Sequence, residues 1–242
     1  MKRTLLIACS ALAISATAAV AADPMAPSYY DWNGFYVGLN AGYGFGGNDT
    51  VGFTVVPGGP GGNVGDLDIS GFAGGLQLGY NYQMDSFLLG IVGDVQIGDI
   101  DDSFASVSAV PPVGTFDGSS QVDFFGTLRG RAGFTADRVL FYGTGGLAWA
   151  HNDYEVNGVD PGGNNVSIND SFTKLGWTVG GGAEFAVDDS MTVGMEYLYV
   201  HLGAKTLSGD ILNAGGGNTG FDAVTVASPS FHTIRASLNW KF

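Results

Sequence analysis

Eight short stretches of this 242-residue chain set large apolar residues against small or polar ones at every second position. In the last of them Ile234, Ala236, Leu238, Trp240 and Phe242 fall on one side. Thr233, Arg235, Ser237, Asn239 and Lys241 fall on the other. A period of two is what a strand shows when its two faces meet different surroundings, whereas an amphipathic helix repeats near 3.6. The stretches cover residues 35–45, 72–82, 87–98, 122–134, 139–150, 175–187, 191–201 and 231–242. The gaps between them alternate in length. Residues 83–86, 135–138 and 188–190 are tight turns rich in Asp, Ser and Thr, while 46–71, 99–121, 151–174 and 202–230 are long and rich in Gly, Asn, Asp and Pro.

The first residues bear on the compartment. Lys2 and Arg3 precede an apolar, small-residue run from Leu5 to Val20, and Ala19-Val20-Ala21 offers a small-x-small cleavage pattern. Residues 1–21 read as a secretory signal peptide, cleaved after 21 or 22. Residues 22–33 then form a short periplasmic segment, and 34–242 the folded domain. Cleavage removes Cys9, the only cysteine, so no disulfide framework is available. The chain has nine basic and 23 acidic side chains; losing Lys2 and Arg3 leaves seven against 23, a net charge of −16. Such a balance argues against nucleic acid, whose phosphates need clustered Lys and Arg. After the signal no stretch approaches the ~18 apolar residues of a membrane helix. A membrane location therefore requires a closed sheet.

The faces choose between a soluble barrel and a membrane one. Phe35, Val37, Leu39, Ala41, Tyr43 and Phe45 oppose Gly38, Asn40, Gly42 and Gly44; Leu175, Trp177, Val179, Ala183 and Phe185 oppose Gly176, Thr178, Gly180, Gly182 and Glu184. A large apolar face backed by a small or polar one suits lipid outside and a narrow lumen inside, and a soluble lipocalin-like barrel would bury the apolar face instead. Aromatics gather near strand ends, with Phe35, Tyr82, Phe134, Phe141, Phe185 and Trp240 at one end and Tyr43, Phe72, Phe124, Trp149, Trp177 and Tyr199 at the other. These suit interfacial girdles. The sequence predicts an all-β fold, an eight-stranded antiparallel transmembrane β-barrel in the bacterial outer membrane. Four long extracellular loops and three short periplasmic turns would join its strands.

Asp31-Trp32-Asn33-Gly34-Phe35-Tyr36-Val37-Gly38 resembles the opening of the small outer-membrane barrel, or porin-family, proteins of alphaproteobacteria, distantly similar to the transmembrane barrels of OmpA and OmpW. Gly126-Thr127-Leu128-Arg129-Gly130-Arg131, Tyr142-Gly143-Thr144-Gly145-Gly146-Leu147-Ala148, Gly194-Met195-Glu196-Tyr197-Leu198-Tyr199 and Arg235-Ala236-Ser237-Leu238-Asn239-Trp240-Lys241-Phe242 extend the likeness along the chain. The resemblance implies fold and location more than activity. It also implies that Trp240 and Phe242 form the signal read by the barrel assembly machinery, and that the peptidoglycan-binding domain of full-length OmpA is absent.

Strand parity puts Asp94, Arg129, Arg131, Lys174, Glu184, Glu196 and Arg235 on the lumen face, from five different strands. Buried charge must be paired, so a salt-bridge network filling the interior is the expectation. Eight strands leave a lumen just wide enough for side chains. The expected role is a structural, envelope-supporting barrel with surface-exposed loops, held among outer-membrane lipids and lipopolysaccharide. A narrow porin lined by the same charges is the alternative. His151, His201 and His232 fall at strand ends facing outward, which leaves loop-borne binding of a ligand such as haem as a second alternative. Ser230-x-His232 lacks a nucleophile elbow. No catalytic set, metal site or cofactor is predicted, and the chain is not expected to be an enzyme. Oligomeric state has no signature here.

Overall fold

The computed structural model describes residues 29–58, 61–108, 115–159, 164–203, 205–213, 215–227 and 230–242. The predicted signal peptide and residues 22–28 lie outside them. Ten strands follow in order: β1 (Gly34–Val56), β2 (Gly61–Met84), β3 (Phe87–Ser108), β4 (Thr115–Ala136), β5 (Val139–Val159), β6 (Asn165–Ala186), β7 (Met191–Leu202), β8 (Lys205–Leu212), β9 (Asn218–Ala227) and β10 (Ser230–Lys241). Each of β1 to β6 pairs antiparallel with its successor, β6 pairs with β7, and β10 pairs with both β7 and β1. Ten partners from Tyr36↔Lys241 to Phe45↔His232 close the last strand on the first. The wall is therefore an eight-stranded barrel of β1 to β7 and β10.

The eight alternating stretches all lie in this wall, with the registers that their parity requires. The three short turns join β2–β3, β4–β5 and β6–β7. Asp85 and Asp137 take positive φ (53° and 52°) there, a conformation that Asp tolerates better than bulkier side chains. In the third turn Asp188 Oδ1 accepts from Ser190 N (2.8 Å), Ser190 Oγ (2.9 Å) and Met191 N (2.8 Å). These donors, the Ser190 amide foremost, hold the Asp188 carboxyl below its ordinary value of 3.8. A carboxyl whose folded pKa is depressed stabilises the turn fully above about pH 4 and loses that contribution as pH falls through the folded value. Asp188→Asn keeps an acceptor oxygen but does not titrate. Its urea midpoint is expected to drop less than the wild type's between neutral and acid pH; equal drops would refute the assignment.

The long connections differ from expectation. Most of 46–71, 99–121 and 151–174 is strand, because β1 to β6 run well past the ends of the alternation. Bulges or register shifts fall at Gly44/Gly47, Ile97/Ile100 and Val122/Phe124, close to where the alternation stops. Above that level no apolar face is needed, yet each ladder continues, because backbone hydrogen bonds require no side-chain pattern. The fourth connection holds the β8–β9 hairpin. β8 pairs with β6 and β9 with β1, so the hairpin stands in the wall above the shorter β7 and β10.

Large apolar side chains cover the outside. Phe72 is 74% exposed, Ile97 73%, Leu175 71% and Met195 65%, while Asp94, Arg129 and Arg235 inside are each 2% exposed. That inversion of a soluble protein suits a barrel whose surrounding medium is hydrocarbon. At the outer strand ends Tyr43 packs on Phe72 (centroids 4.9 Å) and Trp177 on Tyr199 (5.5 Å). At the short-turn end Phe134 packs on Phe141 (5.4 Å).

The interior is layered. Nearest the short turns, Tyr30, Trp32, Leu88, Leu140 and Ala186 form an apolar floor. Residues 29–33 supply two of these five, Tyr30 and Trp32, by folding across the barrel mouth. Trp32 N donates to Gln83 Oε1 (2.9 Å), Gln83 N donates to Asn33 Oδ1 (2.7 Å), and Lys241 lies 3.7 Å from the Asp31 carboxylate. Towards the other end Phe125, Ala148, Ala150, Leu198, Val200, Leu202 and Phe231 form a second apolar layer. Asp94, Arg129, Arg131, Glu184, Glu196 and Arg235 lie between the two.

Candidate functional site: the charged lumen

Four of the predicted residues form a closed ring. Arg129 on β4 and Arg235 on β10 each bind both Asp94 on β3 and Glu196 on β7. Arg129 Nη2 lies 2.9 Å from Asp94 Oδ2, and its Nη1 2.8 Å from Glu196 Oε1. Arg235 Nη1 lies 3.1 Å from Asp94 Oδ1, and its Nη2 2.5 Å from Glu196 Oε2. Arg235 and Glu196 are direct cross-strand partners, whereas Arg129 spans the lumen to β7. Thr127 Oγ1 donates to Asp94 Oδ2 (2.5 Å) and accepts from Arg129 Nε (2.8 Å). Guanidinium suits this task, since its planar fork serves two carboxylates at once.

Arg131 and Glu184 form a separate pair nearer the floor, with Nη1 2.5 Å from Oε1. Arg131 Nε donates to Asn81 Oδ1 (2.9 Å), and its Cζ lies over the rings of Tyr36 (4.8 Å) and Tyr142 (5.2 Å). Gln77 Nε2 donates to Asn239 Oδ1 (2.5 Å), and Asn40 Nδ2 to Gln77 Oε1 (3.3 Å), which extends the polar belt around β1, β2 and β10. Three guanidinium groups face three carboxylates, so these six charges cancel. Among the described residues two cavities border this zone, each with about 10 Å³ of space, about one water molecule's worth.

Lys174 is buried on the lumen side, ten residues along β6 from Glu184 and in register with Ala150. Alternation fixes a side, not a height, and long strands separate residues that share a side. The histidines lie at the outer strand ends, as parity predicts. His232 Nδ1 is 2.6 Å from Tyr197 Oη, His201 packs on Trp177 (centroids 5.7 Å), and His151 Nδ1 is 3.3 Å from Thr173 Oγ1. Trp240 and Phe242 point outward; Phe242 N donates to Phe35 O (3.1 Å), and the two rings stack at 6.5 Å. Among the described residues no three of His, Cys, Asp and Glu are placed to hold a metal.

The sequence reading missed the apolar layers. Phe125 shares parity with Arg129, Phe231 with Arg235, and Leu198, Val200 and Leu202 with Glu196, so the signal was present. Adjacent Phe124 and Phe125 blur it. Tyr30 and Trp32 precede the first strand and carry no period at all.

A barrel with this exterior and this lumen has a counterpart among known families. The model of the outer membrane protein β-barrel domain matches residues 6–242. The chain belongs to this family. It is 37% identical to the 31 kDa outer-membrane immunogenic protein of Brucella melitensis, over 98% of each chain. It is 28% identical to the 25 kDa outer-membrane immunogenic protein of Brucella abortus, over 85% of this chain and 86% of that one. A 22 kDa outer membrane protein of Rhizobium leguminosarum is 27% identical over 81% of this chain and 74% of its own. This family member is an outer-membrane protein, as the resemblance in its motifs implied.

Proposed function

We propose that this outer-membrane barrel is a structural, non-enzymatic component that supports envelope integrity. The observation that carries the reading is the filled lumen. Two apolar layers enclose a polar zone whose ring and pair commit their six charges to one another, and each of the two cavities seen there among the described residues is the size of a single water molecule. A solute path would need a continuous wetted passage. The apolar exterior would be solvated by outer-membrane lipids and lipopolysaccharide, and the outward Trp240 and Phe242 would serve as the signal to the assembly machinery.

The refolded protein is expected to give no resolved current steps in planar bilayers, with wild type and Arg131→Gln alike. Steps whose size changes in Arg131→Gln would replace this reading with a narrow porin. A strain lacking the protein is expected to become more sensitive to detergents and bulky antibiotics, and to recover with the full chain restored. Unchanged sensitivity would remove the envelope role.

A further inference from the structure

Three polar atoms below the ring are buried, and none of the described protein groups serves as their hydrogen-bond partner: Trp32 Nε1, Tyr36 Oη and Arg131 Nη2. Their side chains are 2%, 4% and 5% exposed. A buried donor left without a partner carries its full desolvation penalty, so such groups are normally satisfied by protein or by ordered water. Here the three are not scattered. Trp32 and Tyr36 line the lower of the two cavities; Tyr36 and Arg131 line the upper. Tyr36 thus stands between the two spaces.

Glu184 borders both cavities as well. Its Oε1 takes the short bond from Arg131, but its Oε2 receives only long contacts, 3.3 Å from Thr192 Oγ1 and 3.4 Å from Asn239 Nδ2. A carboxylate has about four lone-pair sites, so Glu184, which lines both cavities, retains accepting capacity. Each space, at about 10 Å³, admits one water and nothing larger. Its polar lining disfavours a dry void. Charge argues against an anion, because the three guanidinium groups and three carboxylates of the ring and pair already cancel and a halide among them would add an unbalanced buried charge.

We propose that each cavity holds one buried water molecule. The two would form a short relay in which Trp32 Nε1 and Arg131 Nη2 donate to the waters, Tyr36 Oη links them, and Glu184 accepts from them. The relay satisfies the three orphan donors and ties residues 29–33 to the Arg131–Glu184 pair without direct contact. It rests on the closed-lumen reading above.

Water–protein NOE and ROE spectra of the ¹⁵N-labelled barrel in lipid nanodiscs test it. The four tryptophan indole signals are assigned with Trp32→Phe. The Trp32 indole proton is expected to show water cross-peaks of opposite sign in the two spectra, the mark of a water held for longer than a nanosecond. Tyr36→Phe, which keeps the ring over Arg131, is expected to reduce that cross-peak several-fold while the heat-dependent gel mobility of the folded barrel persists. Replacing chloride with bromide should leave the Trp32 signal unmoved. No cross-peak in a protein that gives no current steps overturns the relay alone. Rapidly exchanging water together with current steps overturns the closed lumen too. A bromide-dependent shift makes the occupant an anion and overturns the assignment.

Discussion

Replacing Arg235 with methionine is expected to destabilise the barrel by about 3–5 kcal/mol, the range found when one partner of a buried ion pair is removed. Arg235 is the second guanidinium for both Asp94 and Glu196, so the variant leaves each buried carboxylate with Arg129 as its only ion partner in the ring. Two anions would then face one cation in a site closed to bulk water. Methionine keeps most of the volume, so the loss reports on charge more than on packing. Urea unfolding in lipid vesicles, followed by tryptophan fluorescence, gives the number. Adding Glu196→Gln to Arg235→Met restores neutrality with Arg129 and Asp94 paired, and should recover much of the loss. A loss below about 1 kcal/mol, typical of solvated surface pairs, would show that the ring is hydrated and the lumen open.

Introducing valine at Gly180 is expected to prevent closure between β6 and β7, while the same change at Gly130 leaves the barrel intact. A Cβ on Gly180 would sit 2.0 Å from Tyr197 O and 3.0 Å from Leu198 Cα, both backbone atoms of the neighbouring strand. Neither atom can swing aside as a side chain would. At Gly130, on the outer face, the nearest heavy atom is Gly145 O at 4.0 Å, and a valine there meets lipid. Both glycines have ordinary strand conformations, so the contrast isolates space from backbone freedom. Overpacking a tight site costs on the order of 1–3 kcal/mol, and here the obstacle is the strand pairing itself. Heat-dependent gel mobility separates the outcomes: Gly180→Val should run as the unfolded form without boiling, Gly130→Val as the folded form. A compact Gly180→Val band would mean that the two strands can part without loss of the barrel.

The wall and its lining were unequally legible in the sequence. Where one strand face meets lipid and the other the lumen, alternation is compulsory, and it placed all eight membrane strands and the inward row of Asp94, Arg129, Arg131, Glu184, Glu196 and Arg235. Above the bulges at Gly44/Gly47 and Ile97/Ile100 both faces lose that constraint, and the ladder extends through segments whose Gly and Asp content suggested loops. Backbone pairing leaves no periodic trace, so the taller wall and the β8–β9 hairpin could not be read. The ring was legible as a set of charges but not as a partition. That Arg131 pairs apart from Arg129, two residues away on the same strand, and that Lys174 stands high on β6, depend on strand stagger, which parity does not encode. The floor built by Tyr30 and Trp32 was invisible because it belongs to no strand.

The strand that closes the wall also carries the ring's second guanidinium. Arg235 is delivered by β10, which follows β3 and β7, the strands of Asp94 and Glu196, in the chain. An assembly intermediate lacking β10 has an open seam along β1 and two lumen carboxylates sharing a single counter-charge. Sealing the seam and balancing the interior are thus a single event. A barrel stalled without β10 should remain an electrostatically distinct species until that strand docks.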